Sequence, residues 1–209
     1  MSIVILLAIA SGTVPMPGDV GDRRSWLTSD DYPNDEFRAG RNGSIYFKTI
    51  ANPSGRAEVC IIEMSTLGGR DKAAFCAVVK SRFKYRNVTG PDGSPMYFIE
   101  EKSFFYQVPG SKIGTQMRPG PDFAVEVQAL PKTLKGRVEV LVNVAVDEAG
   151  QLKKCDAPAE AAHPTLARLA CGQFPSLWAA MPEKNATGEP IAYIRQMRVE
   201  FREAGAPAS

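Results

Sequence analysis

Two cysteines enclose the stretch CIIEMSTLGGRDKAAFC, residues 60–76, and the same spacing recurs in CDAPAEAAHPTLARLAC, residues 155–171. The two stretches are offset by 95 residues. Other residues obey this offset: Gly55 with Gly150, Gly93 with Gly188, Pro95 with Pro190 and Ile99 with Ile194. A period of this length is too long for a solenoid unit and is typical of two tandem small domains. The sequence therefore predicts an internal duplication.

Each copy has the pattern of two strands, a helix and a third strand. The valines at 138, 140, 142, 144 and 146 alternate with other residues, which indicates a strand with one buried face. A turn that ends at Gly55 or Gly150 predicts a hairpin into the second strand. The fold class is therefore predicted as α+β, with two tandem β-β-α-β repeats. Each repeat is expected to form a three-stranded antiparallel sheet with one helix packed on it.

The pattern places one cysteine of each pair on a strand and the other in the following helix. Disulfides Cys60–Cys76 and Cys155–Cys171 would each pin a helix to its sheet, and each would contribute about 3 kcal/mol in the chain-entropy model. A domain of this size with one helix buries little apolar area, so such a crosslink is physically useful. Free buried thiols are the alternative. Zinc is less favoured because its cysteine ligands usually lie close in sequence and His163 is the only histidine.

The N-terminus carries an apolar segment, Ile3–Ala10, that ends in the A-x-A pattern Ala8-Ile9-Ala10. This pattern predicts a secretory signal peptide at residues 1–10, although a positively charged n-region is missing. A buried first strand is the alternative. With the predicted disulfides, the segment predicts export to the periplasm and no membrane span in the mature chain.

Composition and motifs favour neither an enzyme nor a nucleic-acid-binding protein. The formal net charge is +2 with both signs interspersed, so no basic footprint for nucleic acid is present. The sequence has no Gly-x-Ser-x-Gly, no His-Glu-x-x-His and no phosphate-binding loop. His163 stands at a helix entrance, where a solvated or capping role is expected. We therefore predict no enzymatic activity, no cofactor and no metal site.

The ordered set of short motifs resembles the C-terminal domain of TonB energy transducers. The matching residues in the first copy are Tyr32-Pro33, Gly40, Gly43, Gly55, Ser65, Asp71, Arg82-Phe83 and Gly93-Ser94-Pro95-Met96. The second copy matches through Gly136-Arg137-Val138, Gly150, Trp178 and Gly188-Glu189-Pro190-Ile191. The resemblance divides the chain into repeat 1 at 23–107, a linker at 108–122, repeat 2 at 123–203 and a tail at 204–209. The membrane helix and long proline-rich spacer of TonB are missing.

The resemblance implies a binding function. In the family, the domain captures an extended segment of an outer-membrane receptor as an added strand beside its last strand. The resemblance therefore implies a periplasmic module that binds an envelope protein or peptide, with a link to TonB-dependent transport. The implied edge residues are Tyr97, Ile99, Glu101, Arg195, Gln196 and Arg198. The alternative is a structural or scaffolding envelope protein whose two repeats pair their own edges.

Overall fold

A computed structural model describes residues 13–22, 26–31, 33–111, 117, 120–131, 134 and 136–204. The predicted signal segment 1–10 and Tyr32 lie outside these residues. The chain is a mixed α/β protein that consists mainly of sheet. Its helices are α1 (Asn34–Arg38), α2 (Gly69–Arg82) and α3 (Pro164–Leu177). The strands are β1 (Gly43–Ala51), β2 (Ala57–Ser65), β3 (Tyr97–Tyr106), β4 (Phe123–Val127), β5 (Arg137–Val146), β6 (Leu152–Asp156), β7 (Glu183–Lys184), β8 (Pro190–Ile191) and β9 (Tyr193–Glu203).

Seven of these strands form one sheet in the order β2-β1-β3-β9-β5-β6, and β4 also pairs with β9. Each half of the chain contains an antiparallel hairpin, a longer helix and a later strand, with α1 in the first half and β4, β7 and β8 in the second as further elements. The structure does not confirm two separate three-stranded sheets, because β3 of the first half pairs in parallel with β9 of the second. The hydrophobic edges of the two halves are thereby joined in a continuous sheet.

The two longer helices lie on opposite faces of this sheet. Ile194 of β9 belongs to the buried cluster of Phe75 and Val79 on α2, whereas its neighbour Tyr193 belongs to the cluster of Phe174 on α3. Because successive side chains of a strand point to opposite faces, the two clusters are separated by the sheet. Each cluster contains residues from both halves, so the halves share their packing.

Both predicted disulfides are confirmed. Cys60 of β2 is bonded to Cys76 of α2, and Cys155 of β6 is bonded to Cys171 of α3. The Cα atoms are 5.5 and 5.3 Å apart, within the usual range for a disulfide. Each bond therefore fixes a helix to the outermost strand of its half.

Glycine is required at both hairpin turns. Gly55 has a φ of 82° and Gly150 a φ of 76°, in the left-handed region that other residues rarely adopt. A Cβ atom at Gly55 would lie 2.0 Å from the carbonyl oxygen of Tyr85, and one at Gly150 would lie 2.4 Å from the nitrogen of Pro182. The two glycines, 95 residues apart, thus meet the same close approach of a following loop in each half.

Candidate functional site

The last strands of the two halves are not open edges, contrary to the expectation for Tyr97, Ile99 and Arg195. Tyr97 lies opposite Tyr193 and Ile99 lies opposite Arg195 in the parallel pairing of β3 with β9. The other side of β9 pairs with β5 along its length, from Tyr193 to Arg202. Tyr97, Ile99 and Arg195 therefore lie in the middle of the sheet, where a guest strand has no access to their backbone. Glu101, Gln196 and Arg198 lie beyond this three-residue pairing.

A second strand covers the remainder of β9. The residues from Phe123 to Val127 of β4 pair in parallel with those from Val199 to Glu203. β3 and β4 thus lie on the same side of β9, one after the other. Between β3 and β4 the sheet divides. We call this division the fork, and it is surrounded by Glu101, Asp122, Gln196 and Arg198.

An ionic cluster lies in the fork, beside a cavity of about 220 Å³ that Glu101, Asp122, Gln196 and Arg198 help to line. Arg195, only 7% exposed, has its Nη2 atom 2.6 Å from Asp122 Oδ1 and 3.3 Å from Glu101 Oε1. The backbone N–H of Arg198 donates to Asp122 Oδ2 at 2.7 Å, and the Asp122 N–H donates to the Arg198 carbonyl at 2.9 Å. Asp122 therefore takes the place of a paired strand residue where no strand lies beside β9.

Tyr46 completes the cluster by donating its hydroxyl hydrogen to Glu101. Burial, together with this hydrogen bond, raises the pKa of Tyr46 above its ordinary value. Two of the predicted partner-binding residues, Glu101 and Arg195, are thus brought together as an ion pair inside the protein. The charged groups of Glu101, Asp122 and Arg195 therefore contact one another across the junction of the two halves.

The side of β5 that faces β6 is only partly covered. β6 pairs with the β5 residues Asn143–Val146, and no described strand pairs with the residues from Arg137 to Val142 on that side. The Asp147 N–H donates to the Gln151 carbonyl, so odd-numbered residues of β5 direct their backbone groups toward this side. The backbone N–H and C=O groups of Glu139 and Leu141 therefore face outward. We call this segment, Glu139–Leu141, the open β5 edge.

The corresponding hairpin in the first half has no such gap. β2 has nine residues and pairs with β1 from Ile45 to Ala51, whereas β6 has five. Beyond β2, Thr66 donates its N–H to the Ser44 carbonyl at 3.0 Å and accepts the Ser44 N–H on its hydroxyl at 2.9 Å. The edge of β1 is thus occupied over the length that stays open in β5.

Pro158 explains the shorter strand in the second half. It lies two residues after Asp156, the last residue of β6, and proline has no N–H to donate to a sheet. The chain turns away instead, where the Ala161 N–H donates to the Pro158 carbonyl at 3.0 Å. The first half carries Glu63 at the equivalent position, where β2 has a bulge between the pairs Phe47–Ile62 and Tyr46–Met64 and continues to Ser65.

A cavity of about 440 Å³ lies between the open β5 edge and this turning segment. Its lining consists of Glu139, Val140, Leu141, Pro158, Glu160, Ala161, Ala162, His163 and Gln196. Leu141 is 39% exposed, which is high for a leucine in the body of a sheet. His163 precedes α3 but its side chain makes no capping hydrogen bond. Unpaired strand groups beside a partly apolar cavity make this edge the candidate site.

Sequence reasoning missed the open β5 edge because it concentrated on the last strand of each half. A signal was present in the run Ala157–Ala162, which corresponds to Ile62–Leu67 of the first half, where β2 continues as far as Ser65. The described residues contain no group of three or more histidine, cysteine, aspartate or glutamate side chains placed to hold a metal ion. In the same part of the chain, no helix is both long enough and apolar enough to cross a membrane.

Comparison with known proteins returned no relative: no family model, no curated protein and no solved structure matches this chain. The resemblance to the TonB C-terminal domain therefore rests on the short motifs alone.

Proposed function

We propose that the protein is an exported binding module that takes up an extended segment of a cell-envelope protein as an added strand. The observation that carries this proposal is the open β5 edge, where the backbone groups of Glu139 and Leu141 have no strand partner among the described residues and lie beside a cavity. An extended peptide can satisfy such groups with its own backbone while its alternate side chains provide selectivity.

The disulfides support an oxidising location. Two strand-to-helix disulfides with no free cysteine among the described residues are typical of secreted and periplasmic proteins. The apolar segment Ile3–Ala10 is consistent with export. We therefore propose the periplasm as the place of action.

The resemblance to TonB contributes the mode of binding to this proposal. We place strand addition at β5 and not at Tyr97–Ile99 of β3 or Val199–Glu203 of β9, whose backbone is paired within the chain. We propose that the two halves are diverged copies of a β-β-α-β repeat, which would explain why each has one disulfide across 16 residues. In the second copy, loss of the strand continuation would have opened the binding edge.

Selection of a random dodecapeptide display library on the disulfide-bonded protein tests the proposal. Backbone amide shifts on titration with selected peptides are expected at Glu139–Leu141 and Gln196. The variant Leu141→Ala is expected to weaken binding, whereas Ile61→Ala, which truncates a 40%-exposed side chain on the opposite edge of the sheet, is expected to leave it unchanged. Selected peptides that shift only other regions would refute the assignment of the site.

A structural or scaffolding role is the second candidate, and the pairing of β3 with β9 favours it. Such a protein would use its closed sheet as a rigid support and would not need a peptide-binding edge. The same selection distinguishes the two candidates, because a scaffold would yield no peptide that protects the amides of Glu139 and Leu141 from hydrogen exchange.

A further inference from the structure

The pairing of β2 with β1 in the first half of the chain is a template for how a guest strand would pair with the open β5 edge. There, Ile62 and Met64 of β2 lie opposite Phe47 and Tyr46 of β1, in antiparallel pairing. The 95-residue offset maps Tyr46 to Leu141. A guest strand that follows this template would therefore run antiparallel to β5 and continue the line of β6 beyond Asp156.

The two faces of the edge differ in chemistry. Val140 belongs to the buried cluster of α3, and Ala161 and Ala162 line the same cavity. Leu141 points to the opposite face, because neighbouring residues of a strand alternate. A guest would thus place one side chain against Val140 and the next ones beside Glu139 and Leu141. A β-branched or leucine side chain suits the first position, since cross-strand aliphatic pairs are favourable.

The charge that lines the cavity is negative. Glu139 and Glu160 are exposed, and neither has an ion-pair partner within the part of the chain that the structure describes. His163 is the only other ionisable side chain in the lining. A lysine or arginine on the guest can pair with these carboxylates, whereas an acidic guest is repelled.

From the pairing template, the apolar wall and the two carboxylates, we infer that the open β5 edge binds a basic, alternating segment of a partner protein. The segment runs antiparallel to β5, with an aliphatic side chain against Val140 and a lysine or arginine beside Glu139. This inference rests on the proposed function and adds the direction and the chemistry of the partner.

Three blocked heptapeptides test the inference on the disulfide-bonded protein. They share a sequence in which valine or isoleucine alternates with lysine, with glutamine or with glutamate. At 50 mM salt, the lysine peptide is expected to bind about 3- to 10-fold more tightly than the glutamine peptide, as one or two exposed ion pairs allow. The glutamate peptide is expected to bind most weakly, and 300 mM salt should reduce the differences.

Variants that replace a glutamate with neutral glutamine test whether the preference for lysine arises at the open β5 edge. Glu139→Gln is expected to reduce the preference for lysine over glutamine, whereas Glu63→Gln, at an exposed glutamate on β2, is expected to leave it unchanged. Equal binding of all three peptides with amide shifts at Glu139–Leu141 would overturn the basic preference while strand addition survives. No shift at this edge with any peptide would overturn the proposed function as well. Thermal unfolding of each variant confirms that the fold is intact.

Discussion

Removal of one disulfide at a time tests how each helix is held on the sheet. The double variants Cys60→Ala/Cys76→Ala and Cys155→Ala/Cys171→Ala each delete a bond between a strand and a helix. Both bonds join residues 16 apart in sequence, so the chain-entropy contribution is the same, about 3 kcal/mol each. Loss of both would remove about 6 kcal/mol, a large part of the 5–15 kcal/mol that is typical of a folded protein.

The helices differ in how well they pack without the bond. α2 buries Phe75 and Val79, whereas α3 buries Leu166 and Phe174 together with two alanines, Ala167 and Ala170. At about 0.8 kcal/mol for each buried methyl group, the alanines give α3 roughly 1.5 kcal/mol more. Local opening of α2 should therefore be about 10-fold more favourable than opening of α3 once the bonds are absent.

Two measurements separate the global and the local effects. Urea unfolding under non-reducing conditions is expected to show a loss of about 3 kcal/mol in the free energy of unfolding for each variant. Hydrogen exchange is expected to show amides of 73–82 in the first variant exchanging about 10-fold faster than those of 168–174, 176 and 177 in the second, since Pro175 has no amide hydrogen. A loss below about 1 kcal/mol in either variant would refute the view that these bonds compensate for a small core. Faster exchange in α3 than in α2 would refute the comparison of the helices.

Three further predictions concern stability. Gly150→Ala is expected to lower the free energy of unfolding in urea by at least about 3 kcal/mol, because its Cβ would meet the backbone of a following loop. Gly93→Ala, with open space around it, is expected to lower the free energy of unfolding by about 1 kcal/mol. Asp122→Ala is expected to lose about 3 kcal/mol in the same assay, since it leaves the buried Arg195 with one fewer carboxylate. Burial raises the pKa of Tyr193 to about 12, above the unfolded value near 10. The stability that this raised pKa contributes is complete below pH 10 and lost as the pH rises toward 12; unfolding at pH 9, 10 and 11 should show this decrease, and Tyr193→Phe should reduce it.

The local features of the fold could be predicted from the sequence because local residues determine them. The two hairpin turns depend on Gly55 and Gly150, and the disulfides follow from the placement of one cysteine on a strand and one in a helix. The arrangement of the strands in the sheet could not be predicted in this way. Whether β3 stays at an edge or pairs with β9 depends on contacts such as Phe98 opposite Ile194, which are far apart in sequence.

The candidate site was missed for a related reason. An open edge arises where a strand is lacking, and alternation in β5 alone does not show how far its neighbour extends. Within the run Ala157–Ala162, Pro158 was the clearest local signal, since proline disfavours the continuation of β6 along β5. Comparison of the two halves makes this signal visible, because Glu63 occupies the equivalent position in the longer strand β2.

The contacts of β4 indicate why a partner would use the β5 edge and not that of β9. Phe123 of β4 lies 5.0 Å from the ring of Phe174 and 6.2 Å from that of Trp178, measured between ring centroids. A guest that displaced β4 would withdraw Phe123 from this packing, at a loss of about 3 kcal/mol or more. It would also break the contacts of the neighbouring Asp122 with Arg195 and Arg198 in the fork. A guest at Glu139–Leu141 disturbs none of these contacts, so the same backbone hydrogen bonds would yield tighter binding there.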